Sequence, residues 1–351
     1  MPALLTAERA RRWLLPWALA VGVLLNAAYP TYRHYDFSHS LDTRSYLRLA
    51  SGRFDSVNVT RRYRLLVPLA AGTLARPLAV LGAPSGASRP AGEWPLRLAF
   101  YLVNCLLLGA AGACFYRGAR LAGASAGASA LALAAVLSSR WASYAAGLPL
   151  TDSLYLLVFG LSYYAGRRGA GGGWAVALAM LVGPLAKESF VFLLPWLAWF
   201  GRRALGWRGQ ATALALGTAL LLAAHYGVDE AVGAAPSKSV TNALAHVENL
   251  AYSLRRAFSL RGIAELFSIF GLFWLPVLAA LWRPAGRWAL APVLGWAEAG
   301  LLVLVVVHAL LSGDLARMGY LLAPAFTAAL ALSIGWVWAQ VAPTGTPSRE
   351  R

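Results

Sequence analysis

An all-α, polytopic transmembrane helical bundle is the fold class this sequence predicts, and three observations predict it. The chain is 59% hydrophobic, with a mean hydropathy of +0.58. Charged residues make up 13% of it, where a soluble globular domain carries roughly 25%. Apolar runs of about 15–22 residues recur from one end to the other. No stretch is polar enough to form a sizeable soluble domain, so any active site must be built at the bilayer surface.

Arg9, Arg11 and Arg12, followed by the apolar run 13–28 and the small residues Ala27 and Ala28, have the layout of a signal peptide. The segment reads instead as an uncleaved first span, because the polar loop after it leads into further apolar segments. Candidate spans are 13–28, 64–82, 96–116, 122–139, 149–165, 172–186, 189–201, 210–226, 263–281, 289–311 and 319–340. Two of them, 172–186 and 189–201, fall short of the roughly 20 residues of a straight crossing. They tilt, or form a hairpin with Lys187-Glu188 at its tip. Arginine clusters at 9–12, 167–168, 202–208 and 283–287 assign those ends to the cytoplasm.

Eleven spans invert several of those assignments in the second half, and ten restore them if 64–82 or 122–139 is re-entrant. The Gly-, Pro- and Ser-rich stretch 82–95 makes the first of these the preferred one. The expectation is therefore about 10–11 spans in a single transmembrane domain, 1–340, with a disordered tail over 341–351. Its polar parts are a first outer loop, 29–64, and a late outer loop, 227–262. Within the first loop, residues 40–51 read as an amphipathic juxtamembrane helix.

The net charge of +17 comes almost wholly from arginine, with Lys187 and Lys238 the only lysines. Such a balance usually points to nucleic acid. Here the arginines punctuate hydrophobic segments, so positive-inside anchoring and anionic headgroups account for most of them, and no nucleic-acid partner is expected. Most carboxylates, including Asp36, Asp42, Asp55, Asp152, Glu188, Asp229, Glu230, Glu248 and Asp314, fall on the outer side. Cys105 and Cys114 share one predicted helix, about 13–14 Å apart along its axis, too far to bridge. The absence of a visible internal repeat weakens an inverted-repeat transporter reading.

No cofactor emerges from the sequence. The five histidines are scattered, and no His/Asp/Glu spacing matches a metal site, so a divalent cation is left open without a ligand motif. The lack of a DxD motif, a P-loop or a dinucleotide fingerprint disfavours a nucleotide-sugar enzyme.

Asp42 lies among cations in the first polar loop, and Tyr46, one turn later, shares its helix face. A carboxylate held at the interface has a raised pKa unless a cation compensates, and it suits proton acceptance from a hydroxyl. Arg61, Arg62 and Arg64 close the loop, and guanidinium forks grip phosphate oxygens at headgroup depth. Asp152 opens a hydrophobic helix and either caps it or serves a site. Lys187 and Glu188, inside an apolar stretch, either pair with one another or line that site. Arg317 offsets the charge of a departing phosphate or pairs with Asp314. Glu298 is an acid inside a long span, hard to place beside Asp42.

Taken together these features resemble the GT-C superfamily of integral-membrane glycosyltransferases, such as protein mannosyltransferases, aminoarabinose transferases and the PIG-V type. The resemblance lies in the first-loop pair Asp42/Tyr46, a Tyr-Arg-x-Leu-x-Pro lead-in (Tyr63, Arg64, Leu66, Pro68) and Thr151-Asp152. Lys187-Glu188 and a late Arg317 followed by Pro324 complete it. It spans about residues 30–325; each motif is short, and their order carries more weight than any one of them.

It implies a polyprenyl-phosphate-linked sugar donor and a lipid, glycan or protein hydroxyl acceptor. Asp42 is then the catalytic base, with Tyr46, Arg62, Arg64, Asp152, Lys187, Glu188 and Arg317 binding substrate. Family members often carry a second acid near the first, for which Asp36 and Asp55 are loose candidates. The Arg- and Ala-rich composition adds a bacterial cytoplasmic (inner) membrane, with the site on its extracytoplasmic face. Two rivals use the same residues: a transporter or flippase of a lipid-linked anion, and a non-catalytic subunit of a polysaccharide assembly machine.

Overall fold

The computed structural model describes residues 2–36, 40–81, 93–233 and 243–341, with 2–10 and 243–247 as backbone alone. All described secondary structure is helical. The chain opens with α1 (Pro2–Ala27), α2 (Tyr29–His34), α3 (Leu41–Ala50), the single turn α4 (Val59–Arg62) and α5 (Leu66–Val80). Next come α6 (Trp94–Leu121), α7 (Ala126–Leu137), α8 (Arg140–Gly147), α9 (Asp152–Arg168), α10 (Gly173–Ala186), α11 (Leu194–Phe200) and α12 (Trp207–Val232). The last third holds α13 (Ala243–Ala257), α14 (Leu260–Phe267), α15 (Trp274–Trp282), α16 (Pro284–Leu290), α17 (Trp296–Ser312), α18 (Leu315–Gly319) and α19 (Ala323–Val341).

Among the described residues, five helical stretches are long and apolar enough to cross a membrane: Arg11–His34, Trp94–Leu121, Asp152–Ala186, Trp207–Val232 and Leu315–Val341. Two sharply bent pairs, Leu260–Phe267 with Gly271–Trp282 and Pro284–Val293 with Trp296–Ser312, raise the number to seven. This is fewer than the 10–11 spans expected, because an apolar run does not reveal where its helix breaks. Segments 64–82 and 122–139 contain helices of only 15 and 12 residues. They are the two that the parity argument singled out as re-entrant. Segment 189–201 is a 3-10 turn followed by the seven-residue α11. Where the late loop expected over 227–262 is described it is largely helix, built from the end of α12, α13 and the start of α14, and its residues 234–242 lie outside the described residues. The predicted disordered tail lies outside the described residues, except for Val341 at the end of α19.

Asp152–Ala186 is not one rod. Gly169 adopts φ +64°, which an L side chain rarely accepts, and the chain turns there so that α9 and α10 pack side by side. Consequently Asp152, at the start of one leg, lies 3.8 Å from Lys187, just past the end of the other. The legs, of 17 and 14 residues, are roughly 26 and 21 Å long.

The hub is α6, which packs against α1, α5, α9 and α19 and buries Phe100, Asn104, Leu108 and Phe115 completely. At the periphery, only 11% of the apolar window of α12 is buried, and Leu216, Leu220 and Leu222 are at least half exposed. An apolar surface of that extent is stable against hydrocarbon, not water.

The acid-bearing helix α3 is held down on α5 by a close approach. A Cβ added to Gly72 would lie 2.5 Å from the backbone carbonyl oxygen of Ala50, at the end of α3. Gly72→Val is therefore expected to cost about 1–3 kcal/mol through overpacking, seen as a lower Tm of the solubilised protein. Gly22→Ala, in a helix with nothing within 4 Å of the added Cβ, is expected to leave Tm unchanged or slightly raised.

Candidate active site

Local chemistry sets the first-loop residues. Ser40 caps α3, its hydroxyl accepting from the Thr43 amide at 3.4 Å, and Asp42 falls in the first turn, where the helix dipole favours an acid. The helix is amphipathic: Thr43, Tyr46, Leu47 and Leu49 are buried, while Leu41, Arg44 and Arg48 are exposed. Asn58 caps α4, accepting from the Thr60 amide at 3.1 Å. On so short a turn, successive residues point about 100° apart, so Arg61 and Arg62 must part company. Arg61 Nε donates to Asp42 Oδ1. Arg62 instead donates to the Val57 carbonyl at 3.2 Å and lies 3.9 Å from Asp229.

Around Asp42 the fold assembles a charge network from four distant segments. Arg317 Nη1 donates to Asp42 Oδ2 at 3.2 Å across 275 residues of sequence. The same guanidinium donates to Asp152 Oδ2 from Nε at 3.2 Å and from Nη2 at 2.5 Å. Asp152 also faces Lys187, whose ammonium is 3.6 Å from Met318 Sδ and 5.5 Å from the Tyr155 ring centre. Arg64 clasps Glu188 with both arms of its fork and donates to the Tyr46 hydroxyl at 2.9 Å. Asp314 caps α18 by accepting from the Arg317 amide at 3.2 Å, which fixes where the Arg317 side chain starts.

The α9 end of the network is set from below. Asn104, fully buried on α6, donates to the carbonyls of Leu148 and Leu150 at 2.9 and 3.2 Å, and accepts from the Ser153 hydroxyl. Tyr155 donates to the Ser189 carbonyl at 3.0 Å and ties the other leg down beside it.

The electrostatics follow from this packing. Burial alone would raise the Asp42 carboxyl, but Arg317 and Arg61 outweigh it and hold the group below its ordinary value. Burial pushes the Lys187 ammonium down to about 8 against the opposing pull of Asp152, with Arg317 and Arg64 adding to the drop. The Tyr46 hydroxyl is driven up by burial and stays protonated. Asp314 is raised, burial prevailing over Arg317.

Asp42, Tyr46, Arg64, Asp152, Lys187, Glu188 and Arg317 are thus brought together, and Arg62 is not. Arg62 belongs to a neighbouring cluster in which Tyr63 donates to Asp229 at 2.7 Å and stacks on His225. Its place beside Asp42 is taken by Arg61. Asp152 makes no helix cap; its carboxylate is given to Arg317 and Lys187. Lys187 and Glu188 take separate partners. An acid that shares a cation with Asp42 is Asp152, through Arg317. Glu298 is neutralised by Arg167 at 3.0 Å, near the other end of α9. Asn104 was not anticipated: a lone amide in an apolar helix is legible as a buried hydrogen-bonder, but its partners are not.

Chemically, the cluster offers one carboxylate in contact with two guanidiniums, and further cations within reach of the same volume. It can exchange its internal acids for the oxygens of a phosphate ester. No group of three or more His, Cys, Asp or Glu suited to a metal ion occurs among the described residues. No protein-family model, curated protein or solved structure matches the chain.

Asn104→Ala would strip the donor from two buried carbonyls. It is expected to cost about 1–3 kcal/mol and to lower Tm, whereas Asn26→Ala on exposed α1, whose amide bonds only the Gly22 carbonyl, is expected to change Tm little.

Proposed function

We propose that this chain is a multi-pass membrane glycosyltransferase of GT-C type. It moves a sugar from a polyprenyl-phosphate carrier to a hydroxyl of a lipid, glycan or protein acceptor. The observation that carries the reading is Arg317 held between Asp42 and Asp152, with Arg61, Arg64 and Lys187 around them. A proton-accepting group and several phosphate-binding cations thereby share one end of the helix bundle.

In this proposal the donor phosphate enters among Arg317, Arg61, Lys187 and Arg64 and competes for their donors. As Arg317 and Arg61 turn to the phosphate, Asp42 loses the partners that depress its proton affinity and becomes a better base. The acceptor oxygen attacks the anomeric carbon, its proton passes to the Asp42 carboxylate, and the bond from the anomeric carbon to the phosphate oxygen breaks. The electron pair leaves with the polyprenyl phosphate, whose charge the arginines stabilise. Direct displacement inverts the anomeric centre. An apolar groove of about 350 Å³ begins at Phe192, shortly past Glu188, and runs between Trp196 and Val303; it suits the first isoprene units of the carrier.

Sidedness in this reading comes from the arginines. Arg11, Arg12, Arg117, Arg120, Arg167 and Arg168 gather where α1 begins and where α6 and α9 end. The positive-inside rule assigns that end to the cytoplasm, which leaves Asp42 facing out from a bacterial inner membrane.

With purified protein and a labelled polyprenyl-phosphate sugar, Asp42→Asn is expected to cut transfer by about 10²–10⁴-fold, as for loss of a general base, while donor binding persists. Undiminished transfer by that variant, or movement of the carrier across liposomes without cleavage, would falsify the enzymatic reading. Donor binding is expected to be full below pH 8 and to weaken as pH rises through about 8, where buried Lys187 loses its proton. Lys187→Arg, which stays charged, is expected to move that limb to higher pH; an identical pH profile in the variant would remove Lys187 from the phosphate site.

A further inference from the structure

From Gly300 to Leu311 every residue of α17 is apolar except His308. Its side chain falls on the face that also buries Leu301 and Val305, and the residue is only 3% exposed. The ring Nδ1 is buried and has no hydrogen-bond partner among the described residues. Ser189, the residue after Glu188, keeps a second atom of this kind. Its hydroxyl is buried without a partner, although its carbonyl accepts from the Tyr155 hydroxyl at 3.0 Å. An ionisable group inside an apolar helix persists for a reason, and a polar atom left unmet in dry surroundings adds to its cost.

Position indicates what these two atoms meet. Tyr155 lies beside both: its hydroxyl holds Ser189, and its ring centre is 6.1 Å from that of His308. The same Tyr155 ring centre is 5.5 Å from the Lys187 ammonium, a member of the charge network. The imidazole centre is also 5.2 Å from the ring centre of Phe192. Phe192 lines the apolar groove together with Val307, the residue before His308, and Leu304, one helical turn earlier. His308 and Ser189 therefore stand where the cations give way to a hydrocarbon wall.

A hydrocarbon chain in the groove leaves both atoms unmet, and a free anion among the cations gains nothing from the groove. A chain that ends in a phosphate passes this junction with its oxygens, each able to accept from an imidazole N–H or a hydroxyl. We infer that His308 and Ser189 donate to the phosphate of a polyprenyl phosphate at the mouth of the groove. They set the depth at which the carrier sits, while the neighbouring cations balance its charge. The inference rests on the carrier named in the reading above, but it does not require that a sugar be transferred.

The test uses the purified full chain in detergent, titrated with sugar-free polyprenyl phosphate or with polyprenol, the same chain without the phosphate. Bound lipid is read by native mass spectrometry and stability by Tm. His308→Leu is expected to weaken polyprenyl phosphate binding about tenfold or more, as for a lost hydrogen bond to a charged group, and to leave polyprenol binding unchanged. The Tm of the lipid-free variant is expected to hold or rise, because a buried polar atom without a partner has been removed. His308→Asn, whose amide keeps a donor near the Nδ1 position, is expected to restore most of the binding. Ser189→Ala is expected to weaken it in the same direction at unchanged Tm. Wild-type polyprenyl phosphate binding by both His308→Leu and Ser189→Ala overturns the inference and leaves the carrier reading in place, since the cations are untouched. A lowered Tm in His308→Leu with no rescue by His308→Asn assigns the ring a structural role and also overturns it. No binding of polyprenyl phosphate by the wild-type chain overturns this inference and the carrier reading together. The expected binding pattern in a chain that transfers no sugar upholds the inference and sinks the reaction alone.

Discussion

A charge that leaves water at the edge of a bilayer has to be met by an opposite charge, and Arg317 meets two. Its planar fork bridges Asp42 from the first loop and Asp152 from the start of α9. Each carboxylate in turn has a second cation, Arg61 or Lys187. Removing Arg317 strips one of two cations from both carboxylates at once, and an ion pair broken on one side costs more than the intact pair stabilises. The network thereby joins four segments that are far apart in sequence.

The hairpin of α9 and α10 gives that network its footing. Two legs too short for a relaxed straight crossing return Lys187 and Glu188 to the level of Asp152. Asn104, dry inside α6, holds the carbonyls that precede Asp152. Tyr155 fastens the start of the 3-10 turn after Lys187. A polar group inside hydrocarbon persists only when satisfied; here its satisfaction also sets the position of a charged side chain.

Charge is unevenly spread along the bundle. One end mixes acids and cations, which pair with one another. The other is dominated by arginine, with Glu298 given to Arg167. The two ends differ in kind: in the first, acids face cations brought from distant segments, and in the second, arginines of α1 and α6 share the wall of one cleft.

Composition and the recurrence of apolar runs were sufficient to determine an all-helical chain with several helices fit to cross a membrane, since the hydrophobic effect acts on length and polarity alone. Of the eight candidate site residues, charge inside or beside apolar runs also marked six that meet, because an ion there needs a reason to be tolerated; the seventh to meet, Tyr46, was marked by its spacing of one helical turn from Asp42. The number of crossings was not legible. Bends near Gly271 and Gly295 and the turn at Gly169 are decided by what packs against them, not by the run of hydrophobicity. Nor was the choice of Arg61 over Arg62, two identical neighbours whose side chains leave the helical turn about 100° apart. Partnership between ions far apart in sequence is a property of the packed helices, because it depends on distances of a few ångströms that only tertiary structure supplies.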